Sequence, residues 1–229
     1  MSSVAVIIPA AGRGLRFGGD GPKQFMSLPC GTPMLARTLS VFQQMRQVKE
    51  IALAIPAGYE TLVQQLVNEY ALTKAAHILA GGENRAASVY EALQRLTPTQ
   101  IVLIHDGVRP FVTEQLALAV ADAALQHGAA VAGIPFVDTV KETDAQGYVC
   151  ATPDRRRFWQ AQTPQGFDYA LLLDAYEHGA RSGLFPHVTD DSALVEARGS
   201  KVFVVEGDRR NIKITTPEDM LAAQALRFC

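Results

Sequence analysis

Five glycines and three basic side chains occur together in a loop that follows an apolar segment, Val4–Pro9. Glycine lets the backbone turn its N–H groups toward an anion. Arg13, Arg16 and Lys23 add positive charge to the same loop. This combination is typical of a phosphate-binding loop at the end of a strand, although a flexible surface loop would show the same glycine content. The glycines are Gly12, Gly14, Gly18, Gly19 and Gly21.

Two well-known nucleotide-binding loops are excluded by the spacing. A Walker A loop needs a glycine directly before its lysine, and Pro22 precedes Lys23 here. A dinucleotide-binding fold needs GxGxxG and an acidic residue after its second strand. The glycines here stand at positions 12, 14 and 18, and the second apolar run ends in Ile55-Pro56-Ala57. These differences argue against a nicotinamide-dependent oxidoreductase.

The elements that must position this loop are predicted from short apolar runs that alternate with amphipathic segments. Nearly continuous apolar runs are typical of strands buried on both faces. Their alternation with helices predicts an α/β fold with a mostly parallel sheet and helices on both faces. Ligands in such sheets bind outside the carboxyl ends of the strands. The runs are Val4–Pro9, Ile51–Ile55, His77–Leu79, Ile101–His105, Ala129–Pro135 and Lys201–Glu206.

One segment interrupts this alternation, and two helix starts are marked by proline. Residues 136–152 alternate polar and apolar side chains around Asp144–Gly147, which predicts a β-hairpin. It is either a protruding arm that serves a dimer or a surface hairpin without a partner. Thr32-Pro33 and Thr216-Pro217 each predict a hydroxyl cap before a proline in the first helical position.

Composition narrows the class of protein. The 229 residues are 48% hydrophobic, which suits one domain spanning residues 1–229 with the hairpin as an insertion. A net charge of −2 gives no general attraction to nucleic acid. The sequence contains no stretch of about 18 apolar residues that would span a membrane, and the N-terminal residues do not resemble a signal peptide. Three widely spaced cysteines predict reduced thiols and a cytoplasmic protein.

Four further motifs follow predicted strands or the hairpin. The first loop, with Pro9–Arg16 and Pro22-Lys23-Gln24, resembles the PAAGxGxR…PK signature of nucleotidylyltransferases. With the other motifs in order, nearly the whole chain is similar to the 2-C-methyl-D-erythritol 4-phosphate cytidylyltransferase family. These motifs are GGENRAAS at 81–88, HDGVRP at 105–110, DRRRFWQAQTPQ at 154–165 and GDRRNIKITTPED at 207–219.

The resemblance implies a fold, a reaction and an assembly. The fold is a Rossmann-like α/β domain of the nucleotide-diphospho-sugar transferase type, with a protruding β-hairpin arm. The implied assembly is a homodimer. The reaction transfers CMP from CTP to 2-C-methyl-D-erythritol 4-phosphate in non-mevalonate isoprenoid biosynthesis, with release of pyrophosphate. The implied cofactor is Mg²⁺ or another divalent cation. The acceptor phosphate is the nucleophile, so no general base is required.

The resemblance also assigns roles to individual residues. Arg16 and Lys23 stabilise the transition state, and Asp106 binds both the nucleotide and the metal. Arms of the two subunits would reach across the dimer into each other's sites. The other nucleotide-binding positions are Pro9, Ala10, Ala11, Gly12, Gly14, Gly82, Glu83 and Ser88. The substrate-binding positions are Arg109, Thr139, Arg155, Thr163, Thr189 and Lys213.

Two positions depart from the family pattern. Glu83 stands where some members carry aspartate. Arg210 stands where some carry an acidic residue that assists the metal, and Asp208 is the nearby candidate to replace it.

Two other functions stay open. One alternative is another nucleotidylyltransferase, such as a ribitol-5-phosphate cytidylyltransferase or a sugar-1-phosphate enzyme. The other is a non-catalytic nucleotide-binding dimer, which predicts loss of Arg16 or Lys23, and both are present.

Overall fold

The computed structural model describes residues 3–12 and 21–226. The strands in these ranges are β1 (Val4–Pro9), β2 (Val48–Ile55), β3 (Ala75–Ala80), β4 (Ile101–Ile104), β5 (Ala129–Pro135), β6 (Glu142–Thr143), β7 (Val149–Ala151), β8 (Trp159–Asp168) and β9 (Phe203–Glu206). The helices are α1 (Met34–Gln44), α2 (Glu60–Glu69), α3 (Arg85–Leu93), α4 (Glu114–His127), α5 (Tyr169–Arg181), α6 (Ser192–Ala197) and α7 (Pro217–Ala225). Single 3-10 turns occur at Lys23–Phe25 and Arg155–Arg157.

Seven strands form one sheet in the order β3-β2-β1-β4-β8-β5-β9. All neighbours are parallel except β8, which runs antiparallel to both β4 and β5. The predicted α/β class with a mostly parallel sheet is therefore confirmed. The antiparallel strand β8 was not predicted, because its sequence, Trp159–Asp168, is rich in polar residues.

The central strand β1 shows how the sheet is covered on both faces. Val4, Val6 and Ile8 belong to a buried cluster with side chains of α1, α2 and α4. Ala5 and Ile7 belong to a second buried cluster with side chains of α3, α5 and α6. Alternate residues of a strand point to opposite faces, so an apolar run of this kind is buried on both sides. The prediction of helices on both faces is confirmed.

The two proline-marked helix starts had different outcomes. Thr216 caps α7 in a reciprocal arrangement with Asp219, and Pro217 is the first helical residue, as predicted. Thr32 does not cap α1, and that prediction is wrong. Pro33 has an extended backbone (ψ 137°) and the helix begins after it, at Met34. Thr32 belongs instead to a tight turn, in which its carbonyl accepts a hydrogen bond of 2.8 Å from the Leu28 N–H.

The predicted hairpin is present as a short two-stranded ribbon of β6 and β7. Its turn closes where the Asp144 N–H donates to the Tyr148 carbonyl at 3.0 Å, and Gly147 takes a positive φ of 90°. Within residues 3–12 and 21–226, no helix is both long enough and apolar enough to cross a membrane.

The cysteines differ from the sequence prediction in part. Cys150 is an exposed free thiol, but Cys30 is disulfide-bonded. The prediction of reduced thiols is therefore wrong for Cys30, because spacing along a sequence does not reveal which cysteines meet in the fold. Cys229 lies outside the described residues.

Candidate active site

A cleft of about 710 Å³ opens at the carboxyl ends of β1, β3 and β4. This is the edge of the sheet where the alternating pattern places ligands. Residues 13–20, which include Gly14 and Arg16, lie outside the described residues. The predicted site residues that line the cleft are Pro9, Ala10, Ala11, Gly12, Lys23, Gly82, Glu83, Ser88, Asp106 and Lys213.

The start of the glycine-rich loop is fixed by hydrogen bonds from both sides. The Ala10 N–H donates to the Ala54 carbonyl of β2 at 2.7 Å. The buried Gln24 side-chain amide donates to the carbonyls of Ala10 at 2.5 Å and Gly12 at 3.3 Å. Gln24 thus shapes the loop and also lines the cleft. Sequence reasoning gave it no role, although its place directly after Lys23 in the signature was a usable signal.

A second wall of the cleft is built at the start of α3. Asn84 caps this helix by accepting a hydrogen bond from the Ala87 N–H at 2.9 Å. The buried Ser88 hydroxyl donates to the Asn84 carbonyl at 2.8 Å, which leaves its oxygen able to accept. A Cβ at Gly81 would come within 2.3 Å of the Ala11 Cβ and 2.8 Å of the Ser88 Oγ. Glycine at 81 therefore lets Ala11 and Ser88 line the same wall.

Asp106, directly after β4, is the buried carboxylate of the cleft. Its Oδ2 lies 2.9 Å from Lys213 Nζ and 3.5 Å from Arg109 Nε. Its Oδ1 lies 3.5 Å from Arg85 Nε. Burial alone would raise the pKa of Asp106, but these three cations hold that pKa well below its usual range. The carboxylate is therefore ionised at neutral pH.

His105 and Thr163 form a hydrogen-bond chain behind Asp106. His105 Nε2 lies 3.1 Å from the Arg109 carbonyl, which can only accept, so this nitrogen carries the proton. His105 Nδ1 then accepts from the Thr163 hydroxyl at 3.0 Å, and the Thr163 oxygen accepts from the Asp106 N–H at 3.1 Å. Burial lowers the pKa of His105 to about 4. With both ring nitrogens occupied, His105 supports the loop and is not placed to take a proton from a substrate.

The remaining predicted substrate-binding residues do not line this cleft. Arg109 lies largely buried behind Asp106 and donates to the Asn211 carbonyl at 2.8 Å. Thr163 is buried in the chain just described. Thr139, Arg155 and Thr189 are exposed, and the Arg155 guanidinium donates to the Val137 carbonyl beside the arm. Their direct contacts with a substrate stay predictions.

Asp208, the candidate second metal ligand, is engaged elsewhere. Its carboxylate pairs with Arg210 at 2.7 Å, and it does not belong to the cleft lining. Arg85 is the charged residue of the cleft that sequence reasoning missed. It stands inside the quoted motif at 81–88, but its main partner, Asp191, is 106 residues away in the sequence.

Comparisons with known proteins identify one family over nearly the whole chain. The family model described as 2-C-methyl-D-erythritol 4-phosphate cytidylyltransferase (IspD) matches residues 4–227. A protein of that name from Desulforamulus reducens is 43% identical over 98% of this chain and 96% of its own length. Another from Geobacillus kaustophilus is 41% identical over 96% of this chain and 95% of its own.

Solved structures are similar over the same extent. The crystal structure of 4-diphosphocytidyl-2C-methyl-D-erythritol synthase from Anaerococcus prevotii superposes with a TM-score of 0.85 at 36% identity, over 98% of this chain and 96% of that one. The 2-C-methyl-D-erythritol 4-phosphate cytidylyltransferase from Thermus thermophilus gives a TM-score of 0.78 at 37% identity, over 98% of both chains.

Proposed function

The chain belongs to the 2-C-methyl-D-erythritol 4-phosphate cytidylyltransferase family, and we infer that its cleft transfers CMP from CTP to 2-C-methyl-D-erythritol 4-phosphate. The protein is a nucleotidyltransferase of isoprenoid precursor biosynthesis. One observation carries the location of the site. A single cleft at the strand ends contains the start of the glycine-rich loop, Lys23, the start of α3 and the Asp106–Lys213 pair.

The reaction requires charge stabilisation more than proton transfer. An oxygen of the acceptor's phosphate attacks the α-phosphorus of CTP, and the bond from that phosphorus to the bridging oxygen breaks, so pyrophosphate leaves. Negative charge grows on the non-bridging and leaving oxygens. Lys23 and Lys213, both in the cleft wall, are fixed cations that would stabilise this charge. The acceptor phosphate is already ionised at neutral pH, and His105 is therefore not needed as a base.

The second wall of the cleft favours a base that carries an amino group, such as cytosine, over uracil. The Ser88 oxygen is left as an acceptor because its proton is donated to the Asn84 carbonyl. The Glu83 side chain in the same wall offers carboxyl oxygens that accept hydrogen bonds. Cytosine presents an amino group that donates, where uracil presents a carbonyl oxygen that accepts. These acceptors therefore support CTP over UTP.

We propose Mg²⁺, or another divalent cation, as the cofactor. Asp106 fits one part of such a site, since its carboxylate is ionised and faces the cleft. Within the described ranges, no three His, Cys, Asp or Glu side chains are grouped to hold a metal. Most of the ligands would therefore be phosphate oxygens of CTP and water, as is usual for Mg²⁺. When bound, the cation would neutralise charge on the triphosphate.

We also propose a homodimer formed through the arm. Val137, Tyr148 and Val149 are 54%, 75% and 58% exposed, so the arm offers apolar side chains that a second subunit would cover. Thr139 and Arg155 do not line the cleft of their own chain, which suits a role in the partner's site.

We place the reaction in the cytoplasm, where nucleoside triphosphates are available. The disulfide at Cys30 is unusual for that compartment.

Pyrophosphate release tests the proposed reaction. Each of the four nucleoside triphosphates is assayed with Mg²⁺ and with either 2-C-methyl-D-erythritol 4-phosphate or ribitol 5-phosphate as acceptor. Release with CTP and the methylerythritol phosphate alone is the expected result. Release only with ribitol 5-phosphate as acceptor would identify the protein as the alternative enzyme, a ribitol-5-phosphate cytidylyltransferase. A folded protein that binds CTP but releases no pyrophosphate with either acceptor would contradict catalysis.

A further inference from the structure

Arg85, at the start of α3, forms a bidentate ion pair with the fully buried carboxylate of Asp191. Its Nη1 and Nη2 lie 2.8 and 2.7 Å from the two oxygens of Asp191. The Asp191 side chain is 0% exposed, whereas that of Arg85 is 31% exposed and lines the cleft. The pair therefore connects the protein interior to the wall of the active site.

Asp191 is itself fixed by groups from two other elements. The buried Tyr176 hydroxyl of α5 donates to Asp191 Oδ1 at 2.5 Å. Gln165 Oε1 of β8 accepts from the backbone N–H groups of Asp191 and Ser192 at 3.1 and 3.0 Å. Both carboxylate oxygens thus have donors, and the backbone before α6 is tied to the sheet. Such a fully satisfied buried network has one well-defined geometry.

The other edge of the Arg85 guanidinium faces Asp106. Nε and Nη2 each lie 3.5 Å from Asp106 Oδ1, while Lys213 and Arg109 approach Oδ2. A guanidinium carries N–H donors on both edges, so it can contact two carboxylates at once, which an ammonium does not do with the same geometry. Asp191 therefore binds one edge of the Arg85 guanidinium closely. The other edge makes a longer contact with Asp106, the carboxylate in the cleft.

We propose that Asp191 is a positioning residue for nucleotidyl transfer, acting through Arg85 to fix where Asp106 and its cations stand in the cleft. This role rests on the proposed function. Without the Asp191 charge, the Arg85 guanidinium would form a bidentate ion pair with Asp106 and draw that carboxylate away from Lys213. A displacement of about 1 Å among such groups lowers turnover by up to about 100-fold.

Steady-state kinetics of a double-variant cycle test this role. Asp191→Asn and Arg85→Lys are each expected to lower kcat/KM for CTP by about 10- to 100-fold, measured per mole of folded protein. If the two residues act as a unit, the double variant is no worse than the more affected single variant. Tyr176→Phe removes one donor to Asp191 and should lower kcat/KM by a smaller factor. Asp174→Asn, which breaks the exposed pair with Arg198, is the matched control and should behave as wild type.

A purely structural role gives a different result. Asp191→Asn would then lower the melting temperature but leave kcat/KM per folded molecule unchanged, or its effect would add to that of Arg85→Lys. Either result overturns the proposal. If Asp191→Asn does not fold, Arg85→Lys and Tyr176→Phe form the cycle, and additive effects overturn it equally. Turnover by the wild type in the same assay tests the activity itself, so failure of the two proposals can be told apart.

Discussion

At the scale of single residues, Lys23 is expected to act on the transition state more than on binding. It lines the cleft beside the start of the glycine-rich loop, where charge grows as pyrophosphate leaves. Lys23→Ala should lower kcat by about 100- to 1,000-fold and change KM for CTP by only a few-fold, because the interaction strengthens as the charge develops. Initial rates of pyrophosphate release at varied CTP separate the two parameters.

The control for this substitution is Lys49→Ala. Lys49 is exposed near the amino end of β2, at the opposite edge of the sheet from the cleft, and its loss should leave both parameters unchanged. A Lys23→Ala variant that loses affinity for CTP but keeps wild-type kcat would show that Lys23 serves ground-state binding only.

His105 makes the stability of the fold depend on pH. Burial lowers its pKa to about 4 in the folded state, against about 6.5 in an unfolded chain. Between these values the unfolded state binds a proton that the folded state does not, so the free energy of unfolding falls as pH drops from about 6.5 to 4. The loss attributable to His105 should be on the order of 3 kcal/mol. Urea unfolding at several pH values in this window measures it.

Comparison with a variant isolates the histidine from the carboxylates that titrate in the same range. His105→Gln does not titrate, so its free energy of unfolding, although lower at pH 7, should fall less steeply with acid than that of the wild type. His187→Gln, at an exposed position, should keep the wild-type slope. Equal slopes for His105→Gln and wild type would mean that the buried imidazole is not the titrating group.

At the scale of elements, the sequence predicted the strands that are apolar and missed the one that is not. Val4–Pro9 and Ala129–Pro135 have the predicted bounds, because a strand covered by helices on both faces must be apolar throughout. β8 buries Gln162, Thr163 and Gln165. Their burial is compatible with folding only because they bond to Asp208, His105 and the start of α6, and such long-range partners leave no local pattern.

The same distinction holds within the site. The glycine-rich loop was predicted because it follows an apolar strand, and the carboxyl ends of such strands meet at one edge of the sheet. Ser88 and Asp106 were predicted from the resemblance of their motifs to the family. The Arg85–Asp191 pair joins residues 106 positions apart and depends on how α3 and α6 pack on the sheet. Sequence spacing carries no information on such a contact.

The start of α7 offers a test of how one cap stabilises the segment that follows the cleft residue Lys213. Asp219 Oδ2 accepts from the N–H groups of Thr215 and Thr216 at 2.7 and 2.8 Å, two residues after Lys213. Asp219→Ala would leave these partly buried donors unpaired and should lower the free energy of unfolding by about 1–3 kcal/mol. Chemical denaturation measures the change. Gln224→Ala, on the exposed side of α7, is the control, and an equal effect there would contradict the capping role.

At the scale of the whole molecule, mixing two inactive variants tests whether arms cross between subunits. Arg155→Ala removes a guanidinium that contacts the arm, and Lys23→Ala removes a cation of the cleft. In a mixed dimer with crossing arms, the subunit that keeps Lys23 receives an intact Arg155 from its partner, so one of the two sites is complete. Random pairing of equal amounts should then restore about one quarter of wild-type activity.

The outcome depends on subunit exchange, which needs its own measurement. Subunits are mixed after mild dissociation, and mixed dimers are counted by mass after one variant is labelled with heavy isotopes. If Arg155 serves the cleft of its own chain, neither site of a mixed dimer is complete, and the mixture stays as inactive as its components. Mixed dimers without activity would thus contradict crossing arms. A monomer by sedimentation would contradict the proposed assembly altogether.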